Sequence, residues 1–493
     1  MSGSVTTART IGSSQLARLL RIPEGARPYY LALAQAVRDR IRDGRLPLRV
    51  RLPAERDLAG ALGVSRTTVT AAYDRLRADG FLDSRRGAGS WTTLPLTGTP
   101  ESLPYAEDDP GPIWPGKDAR PHLIDFGAAA PAAVAELDAA VAAAVAELPR
   151  YARSHGYYPA GVEPLRAAVA DRYTRRGLPT RPDQIMITSG ALHALDLVLG
   201  LLLGPGDAIA SEQPTYVNAL RAMRRRNLRI VPVGITGGCP DIELLETGMR
   251  QAAARLAYVI PDFHNPTGFL MSADRRARLI EAIRRADGYL VADETYADMP
   301  VGDDVPDDAL PPPVAAFDGG DRVISVGSAG KLFWGGLRIG WIRATAPLIG
   351  RLAGMRATQD IAGPVLDQLV VAELLRDVEA VRTRRRTELA AARDALLAAL
   401  RTELPAATWE PPPGGLSTWV DLGTPVADQL ARAARRHGVL VTPGPSFGVD
   451  GTLDRFVRVP FCLPPDDLTE GVRRLAAAYH ELAPSRPVPA PIV

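Results

Sequence analysis

Val323-Ile324-Ser325-Val326-Gly327-Ser328-Ala329-Gly330-Lys331 joins a short apolar run to a small-residue turn that ends in a lysine, with Arg338 seven residues on. Lysine is scarce in this chain. Of its 58 basic residues only Lys117 and Lys331 are lysines, and Lys117 lies in a proline-studded stretch. A guanidinium stays charged, whereas an ammonium in apolar surroundings can lose its proton and attack a carbonyl. A lysine at an apolar, glycine-rich position of an arginine-dominated chain therefore points to Schiff-base chemistry. One lysine alone is as readily an ordinary surface residue, so its neighbours decide the reading.

Upstream of Lys331, helical stretches alternate with short β-branched runs at 185–188, 208–211, 230–233, 258–261, 289–293 and 323–326. That rhythm predicts an α/β domain with a largely parallel sheet, starting near residue 124. Long Ala/Arg/Leu helices after about residue 361, then strand-like segments at 416–422 and 456–461, predict a smaller α+β subdomain. The Ala-rich stretch 128–146 carries spaced acids and predicts a surface helix.

Four segments of this domain hold residues suited to one chemistry. Ser189-Gly190-Ala191 follows an apolar run and opens an apolar helix, and the free N–H groups of such a junction suit a phosphate. Tyr216, in Pro214-Thr215-Tyr216, can lie on a heteroaromatic ring, although a core tyrosine has the same signature. Asn265-Pro266-Thr267-Gly268 reads as a turn after a strand. Asp293-Glu294-Thr295-Tyr296 places a carboxylate at the C-terminal end of a strand, where α/β sites form. Together they fit a pyridoxal phosphate site. Asp293 would keep the pyridine nitrogen protonated, so that the ring can accept electrons. Tyr296 and Asn265 can hydrogen-bond its phenolic oxygen, Arg338 can grip the phosphate, and Lys331 would hold the aldehyde. His193, near the phosphate turn, is expected to face core or solvent.

The N-terminal part has a different character. Residues 1–95 hold 16 Arg against 8 Asp plus Glu, a balance of 16 − 8 = +8, while the whole chain is only +2. A basic module on a mildly acidic body points to a polyanion. Ala54 to Leu62 and Ser65 to Ala78 show the helix-turn-helix rhythm, with Ser65 as cap and Val69, Ala72, Tyr73 and Leu76 as a buried stripe. Ser65, Arg66, Thr67 and Thr70 then face outward, able to reach phosphates and base edges. A hairpin between Phe81 and Thr93 carries Arg85, Arg86 and Gly87 at a basic turn. Residues 94–121 contain seven prolines and predict an extended linker.

Two distant cysteines, Cys239 and Cys462, lack metal-type spacing and imply no disulfide framework, which fits a reducing cytoplasm. The N-terminus lacks the apolar core of a signal peptide. The longest apolar run, 191–203, includes His193 and Asp196 and is too short to span a bilayer. A soluble, cytoplasmic protein is expected.

Residues 28–93, with Arg51-Leu52-Pro53-Ala54-Glu55-Arg56-Asp57-Leu58-Ala59, Val64-Ser65-Arg66-Thr67-Thr68-Val69 and Arg86-Gly87-Ala88-Gly89-Ser90, closely resemble the winged helix-turn-helix of GntR-type regulators. The resemblance assigns operator contacts to Arg51, Arg56, Arg66, Thr68 and Gly87. Residues from about 124 to 485 resemble the class I aminotransferase fold (fold type I of pyridoxal phosphate enzymes), most strongly at 265–268, 293–296 and Ser328-x-x-Lys331 with Arg338. That resemblance adds Ser328 to the phosphate contacts. It implies that Tyr157 or Tyr158 reaches the partner subunit's phosphate, and that Arg458 binds a substrate carboxylate. Gly330 departs from the commoner Ser-Lys pair.

The combined plan is that of MocR-type (GabR-like) transcriptional regulators. It implies four regions: an extension 1–27 without assigned role, a winged helix 28–93, a linker 94–121 and a cofactor domain 122–493. It also implies a homodimer that binds double-stranded operator DNA, carries pyridoxal phosphate, answers to an amino compound or the cofactor, and turns over little or no substrate. A working aminotransferase with a DNA-binding appendage is the alternative.

Overall fold

The computed structural model describes residues 9–23, 25–85, 89–95, 122–303, 305–306, 309–319 and 321–482. The linker expected at 94–121 therefore lies outside the described residues from 96 onward, as do Arg86 and Gly87 and the side chain of Arg85.

The N-terminal module is a winged helix. Helices Tyr29–Arg42, Glu55–Leu62 and Arg66–Ala78 pack on a sheet in which Leu82–Arg85 and Gly89–Thr92 form the expected hairpin. The stripe Val69, Ala72, Tyr73 and Leu76 is buried, and the Ser65 side chain accepts from the Thr68 amide at 3.1 Å. The amphipathic pattern and the cap thus fix both the face and the start of the second helix of the motif.

Residues 9–22, given no role by the sequence, are built into this module. Arg9–Thr10 pairs in parallel with Val50–Arg51, which in turn pairs with Gly89–Thr92. Helix Ser13–Leu19 inserts Leu16 and Leu19 beside Leu33, Leu58 and Val69 in one apolar cluster. The small size of a winged helix explains the recruitment, since a short domain gains much from each added buried leucine.

The larger, C-terminal domain is built on an eight-stranded sheet. Its order is Ile185–Thr188, Gly340–Arg343, Val323–Ser328, Tyr289–Asp293, Leu256–Val259, Ala208–Gln213, Arg229–Thr236 and Cys239–Pro240. Gly340–Arg343 and Cys239–Pro240 run antiparallel to their neighbours, and the other pairs are parallel. Strands buried on both faces need continuous apolar runs, which is why 185–188 and 256–259 carry no polar alternation.

Gly340–Arg343 was not foreseen, because Gly-Trp-Ile-Arg is short and glycine-led. A second, smaller sheet holds Ser417–Asp421, Phe456–Pro460, Val439–Pro443 and Ile124–Phe126, flanked by helices Val378–Glu403 and Pro465–Leu482. The first strand after the linker thus belongs to the smaller subdomain and not to the large sheet. The helix expected at 128–146 forms at Leu137–Tyr151. Residues 128–133 instead run irregularly past the site described below, where their backbone serves as acceptor.

Leu16→Ala is expected to destabilise the winged helix by about 2–5 kcal/mol, the range for a fully buried leucine. Native-state hydrogen exchange of the 69–76 amides in the full chain measures it. A loss near zero would mean that the N-terminal segment is only loosely attached.

Candidate functional site

The strand register assembles the site. The chain leaves the sheet at Ser328, passes through Lys331 and Arg338, and returns at Gly340, whose backbone pairs with Ser328 on one side and Thr188 on the other. Ser328, the Ser189–Ala191 turn and the Lys331–Ile339 loop are thereby forced together at one sheet end. Gly190 sits at φ +90°, a backbone conformation that residues with a Cβ rarely adopt, and the Arg338 guanidinium packs against it, 2.9 Å from where a Cβ would stand. Arg338, itself at φ +52°, donates to the Ser189 carbonyl at 3.2 Å.

A cavity of about 250 Å³ opens here, lined among others by Gly190, Tyr216, Asn265, Asp293, Lys331 and Arg338. Ala191, Tyr296 and Ser328 complete the wall. The Lys331 amine donates to the Ala129 carbonyl at 2.7 Å and lies 5.8 Å from the Tyr296 ring centroid. Burial pushes this amine down to about 8 from its ordinary 10.5. Cys462 and Asp293 work against the shift, and Arg458 and Arg338 add to it. A neutral amine is therefore reachable near neutrality, as nucleophilic attack requires.

Asp293 is held by two neighbours. Tyr258 Oη donates to one carboxylate oxygen at 2.6 Å, and the Thr295 amide (3.1 Å) and hydroxyl donate to the other. Tyr258 was missed from the sequence. It stands in an apolar strand that pairs with the Asp293 strand, and a tyrosine buried there has to find a partner for its hydroxyl. Burial, then the Asp293 charge, raise its phenol well above the ordinary value. Tyr216 accepts from Asn218 Nδ2 at 3.0 Å, and burial raises its phenol too. The Asn265 side-chain oxygen is buried with no hydrogen-bond partner among the described residues.

Of the remaining expected residues, Ser328 lines this cavity and the others stand outside its lining. Ser328 Oγ accepts from the Gly330 amide at 3.0 Å, and Ser189 Oγ donates to Asp360 at 3.3 Å. His193 accepts from the Ser189 amide at 3.1 Å and so props the turn from the protein side. Arg458 is buried behind the cavity wall. It donates to the Gly127 carbonyl, lies 5.3 Å from the Phe447 ring, and leaves Nε unpartnered. Tyr157 is 58% exposed and Tyr158 half-buried, and neither lines the cavity of its own chain.

The donor set fits pyridoxal phosphate. Amides opening the helix Ala191–Leu202 beside the Arg338 guanidinium suit a phosphate, and a buried carboxylate and a depressed amine face the same space.

On the winged helix, Arg51, Arg56, Ser65, Arg66 and Thr67 are exposed and Thr68 is half-buried. The Arg56 and Arg66 side chains are 87% and 70% exposed, with ion pairs no closer than 3.7 Å, so both are available to a phosphate or base edge.

Comparison with known proteins agrees with both halves. Residues 122–475 match the aminotransferase class I and II family and residues 29–91 match the gntR family of bacterial regulatory proteins. The chain belongs to the class I and II aminotransferase family and carries a GntR-type DNA-binding head, the plan of MocR/GabR-type regulators. The uncharacterized HTH-type transcriptional regulator YdfD of Bacillus subtilis is 28% identical over 484 residues, 92% of this chain and 97% of that protein. The 2-aminoadipate transaminase of Thermus thermophilus is 32% identical over 379 residues, 74% of this chain and 91% of that protein. Among solved structures, the α-aminoadipate aminotransferase LysN of T. thermophilus in complex with N-(5'-phosphopyridoxyl)-L-leucine superposes with TM-score 0.67 and 30% identity. That match covers 73% of this chain and 93% of that one. Pyridoxal phosphate is the cofactor this domain implies.

Two outcomes follow from the geometry. Tyr258→Phe takes a hydrogen bond from a buried carboxylate and is expected to cost about 1.5–3 kcal/mol, read by chemical denaturation of the apo-protein. Lys331 has the second. Its folded value lies below its unfolded one, so the fold carries a penalty below pH 8 that disappears as pH rises from about 8 towards 10.5. Accordingly, borohydride-trapped pyridoxylation of Lys331 should rise steeply with pH near 8, followed by mass spectrometry. A midpoint near 10.5 would contradict the buried amine.

Proposed function

We propose that this chain is a cytoplasmic, homodimeric transcriptional regulator that binds duplex operator DNA through its winged helix. Its cofactor domain senses an amino compound or pyridoxal phosphate itself. The observation that carries this reading is the presence, in one chain, of an exposed arginine-bearing helix and a cavity with a depressed amine. Relatives alike over almost the whole length are HTH-type regulators. Among the described residues no helix is long and apolar enough to cross a membrane.

Pyridoxal phosphate supplies an aldehyde and an electron-accepting ring. Lys331 would hold the aldehyde, Asp293 would meet the ring nitrogen, and Asn265 and Tyr296 would meet the phenolic oxygen. Tyr216, which lines the cavity, would cover the ring. Ser189, Gly190, Ala191, Ser328 and Arg338 would hold the phosphate, and Tyr157 or Tyr158 would extend to the partner's site. Arg458, buried behind the cavity wall with an unpartnered Nε, would receive the carboxylate of an effector amino compound. Arg51, Arg56, Ser65, Arg66, Thr67 and Thr68, with Arg85, Arg86 and Gly87 of the wing, meet the operator.

Arg66→Ala should weaken binding to the chain's own upstream region by about tenfold or more and flatten its salt dependence by about one counterion, as titrations at several salt concentrations would reveal. Undiminished affinity would remove the DNA role of this helix. A second reading, a working aminotransferase with a DNA-binding head, is favoured by the gathered Lys331–Asp293–Arg338 set and the transaminase relatives. Repeated cycling with an amino donor and a ketoacid supports it, and a single stalled spectral change supports the sensor.

A further inference from the structure

The winged helix rests on both parts of the cofactor domain at once. On the large sheet, the Arg45 backbone lies against Gly234, where a Cβ would come within 2.5 Å of the Arg45 Cα. Arg9 bridges inward, donating to Pro232 O at 3.3 Å and Leu48 O at 3.4 Å. Thr10 and Gln251 exchange two hydrogen bonds, at 3.2 and 3.1 Å. On the smaller subdomain, the Leu453 amide donates to Arg42 O at 2.9 Å, and the Leu48 amide donates to Asp450 at 3.4 Å.

Asp450 also accepts from Gln213 at 3.4 Å and Thr452 at 3.0 Å, so one carboxylate joins the winged helix, the large sheet and the smaller subdomain. Gln213 is fully buried, donates to Thr452 at 3.1 Å and accepts from the Val449 amide at 3.1 Å. From this joint the cofactor cavity is only three residues away. Gln213 ends its strand, the Thr215 amide donates to Phe447 O at 3.0 Å, and Tyr216 lines the cavity. Phe447 in turn packs on Arg458.

We propose that the Asp450–Gln213–Leu48 joint is an interaction surface through which occupancy of the cofactor cavity sets the placement of the winged helix. This rests on the sensing function proposed above. A body fastened to both sides of a movable junction must turn or release one side when the two parts shift. A ligand carboxylate at Arg458 acts on Phe447 and a ring at Tyr216 acts on Thr215, so both inputs converge on Gln213. The segment 9–22 fits this role, since its strand and Arg9 secure the head to the large sheet while residues 42–48 meet the smaller subdomain.

The test uses the full-length apo-protein loaded either with pyridoxal 5'-phosphate alone or with N-(5'-phosphopyridoxyl)-L-leucine, which adds an amino-acid carboxylate. Hydrogen exchange of residues 42–50 should differ between the two loaded forms of the wild type. In Asp450→Ala the conjugate should bind as in the wild type while that difference falls by half or more. Asp450→Asn, which keeps the shape of the side chain, serves under the same criteria if the alanine variant fails to fold. Identical exchange at 42–50 in the two wild-type forms would overturn the proposal, as would an undiminished difference in the variant. Operator affinity is read in parallel. If exchange at 42–50 responds while wild-type affinity does not, the sensing function fails and the joint stands.

Discussion

Everything at the cofactor site depends on the backbone pairing of Gly340 with Ser328 on one side and Thr188 on the other. The strand Gly340–Arg343 is a wedge between two parallel neighbours, and it returns the chain next to where it left. A loop closed so tightly has few arrangements, so Lys331 and Arg338 are delivered to the same sheet end as the Ser189–Ala191 turn. The register admits no gradual adjustment, because a one-residue slip would turn each side chain of the strand to the opposite face. Gly190 completes the constraint by leaving room for the Arg338 guanidinium.

On this frame the electrostatics are opposed in a useful way. Burial strips water from the Lys331 amine and favours its neutral form, while Asp293 beyond it favours the charged form. Asp293 is itself anchored by Tyr258 and Thr295, which satisfy a carboxylate that would otherwise be costly to bury. A second buried layer holds the turn that carries Asn265. Arg276, fully buried, donates to Asp262 at 2.8 Å, to Met271 O at 3.0 Å and to Pro261 O at 3.3 Å, and so braces both ends of the 261–271 segment. Removing one partner of such a pair costs far more than the pair itself contributes, so this layer fixes geometry more than it adds stability.

The parts legible in the sequence were those written in local chemistry. Ser65 as a cap, the 69–76 stripe and the buried strands depend on neighbours within a few residues, and the structure has them nearly as read. So were the cavity residues, since Lys331, Asp293 and Asn265 sit in turns and strand ends whose residue types are unusual. What escaped depends on distant pairing. Gly340–Arg343 has too few residues for a period, and Ile124–Phe126 joins the smaller sheet through its distant pairing with Val439–Val441. The Ala-rich 128–133 has high helix propensity, yet it runs irregularly past the site, where Ala129 O accepts the Lys331 amine. Tyr258 looked like strand filling until its partner across the sheet was known.

A head that binds DNA and a body that binds a small molecule influence one another only if some arrangement differs in affinity for both. Separate domains on a long linker would give little of that, because the head would sample the same positions whatever the cavity held. The contacts at Arg9, Arg42, Leu48 and Asp450 change the argument, since they restrict the head to positions the body dictates. The hydrogen bonds there are few, and each is individually modest. A coupling of about 1–3 kcal/mol is therefore the scale such a joint can transmit, sufficient for a change of roughly fivefold to 150-fold in affinity and too small to lock the head permanently. That range suits a regulator, because a stronger fastening would hold one arrangement whatever ligand was present.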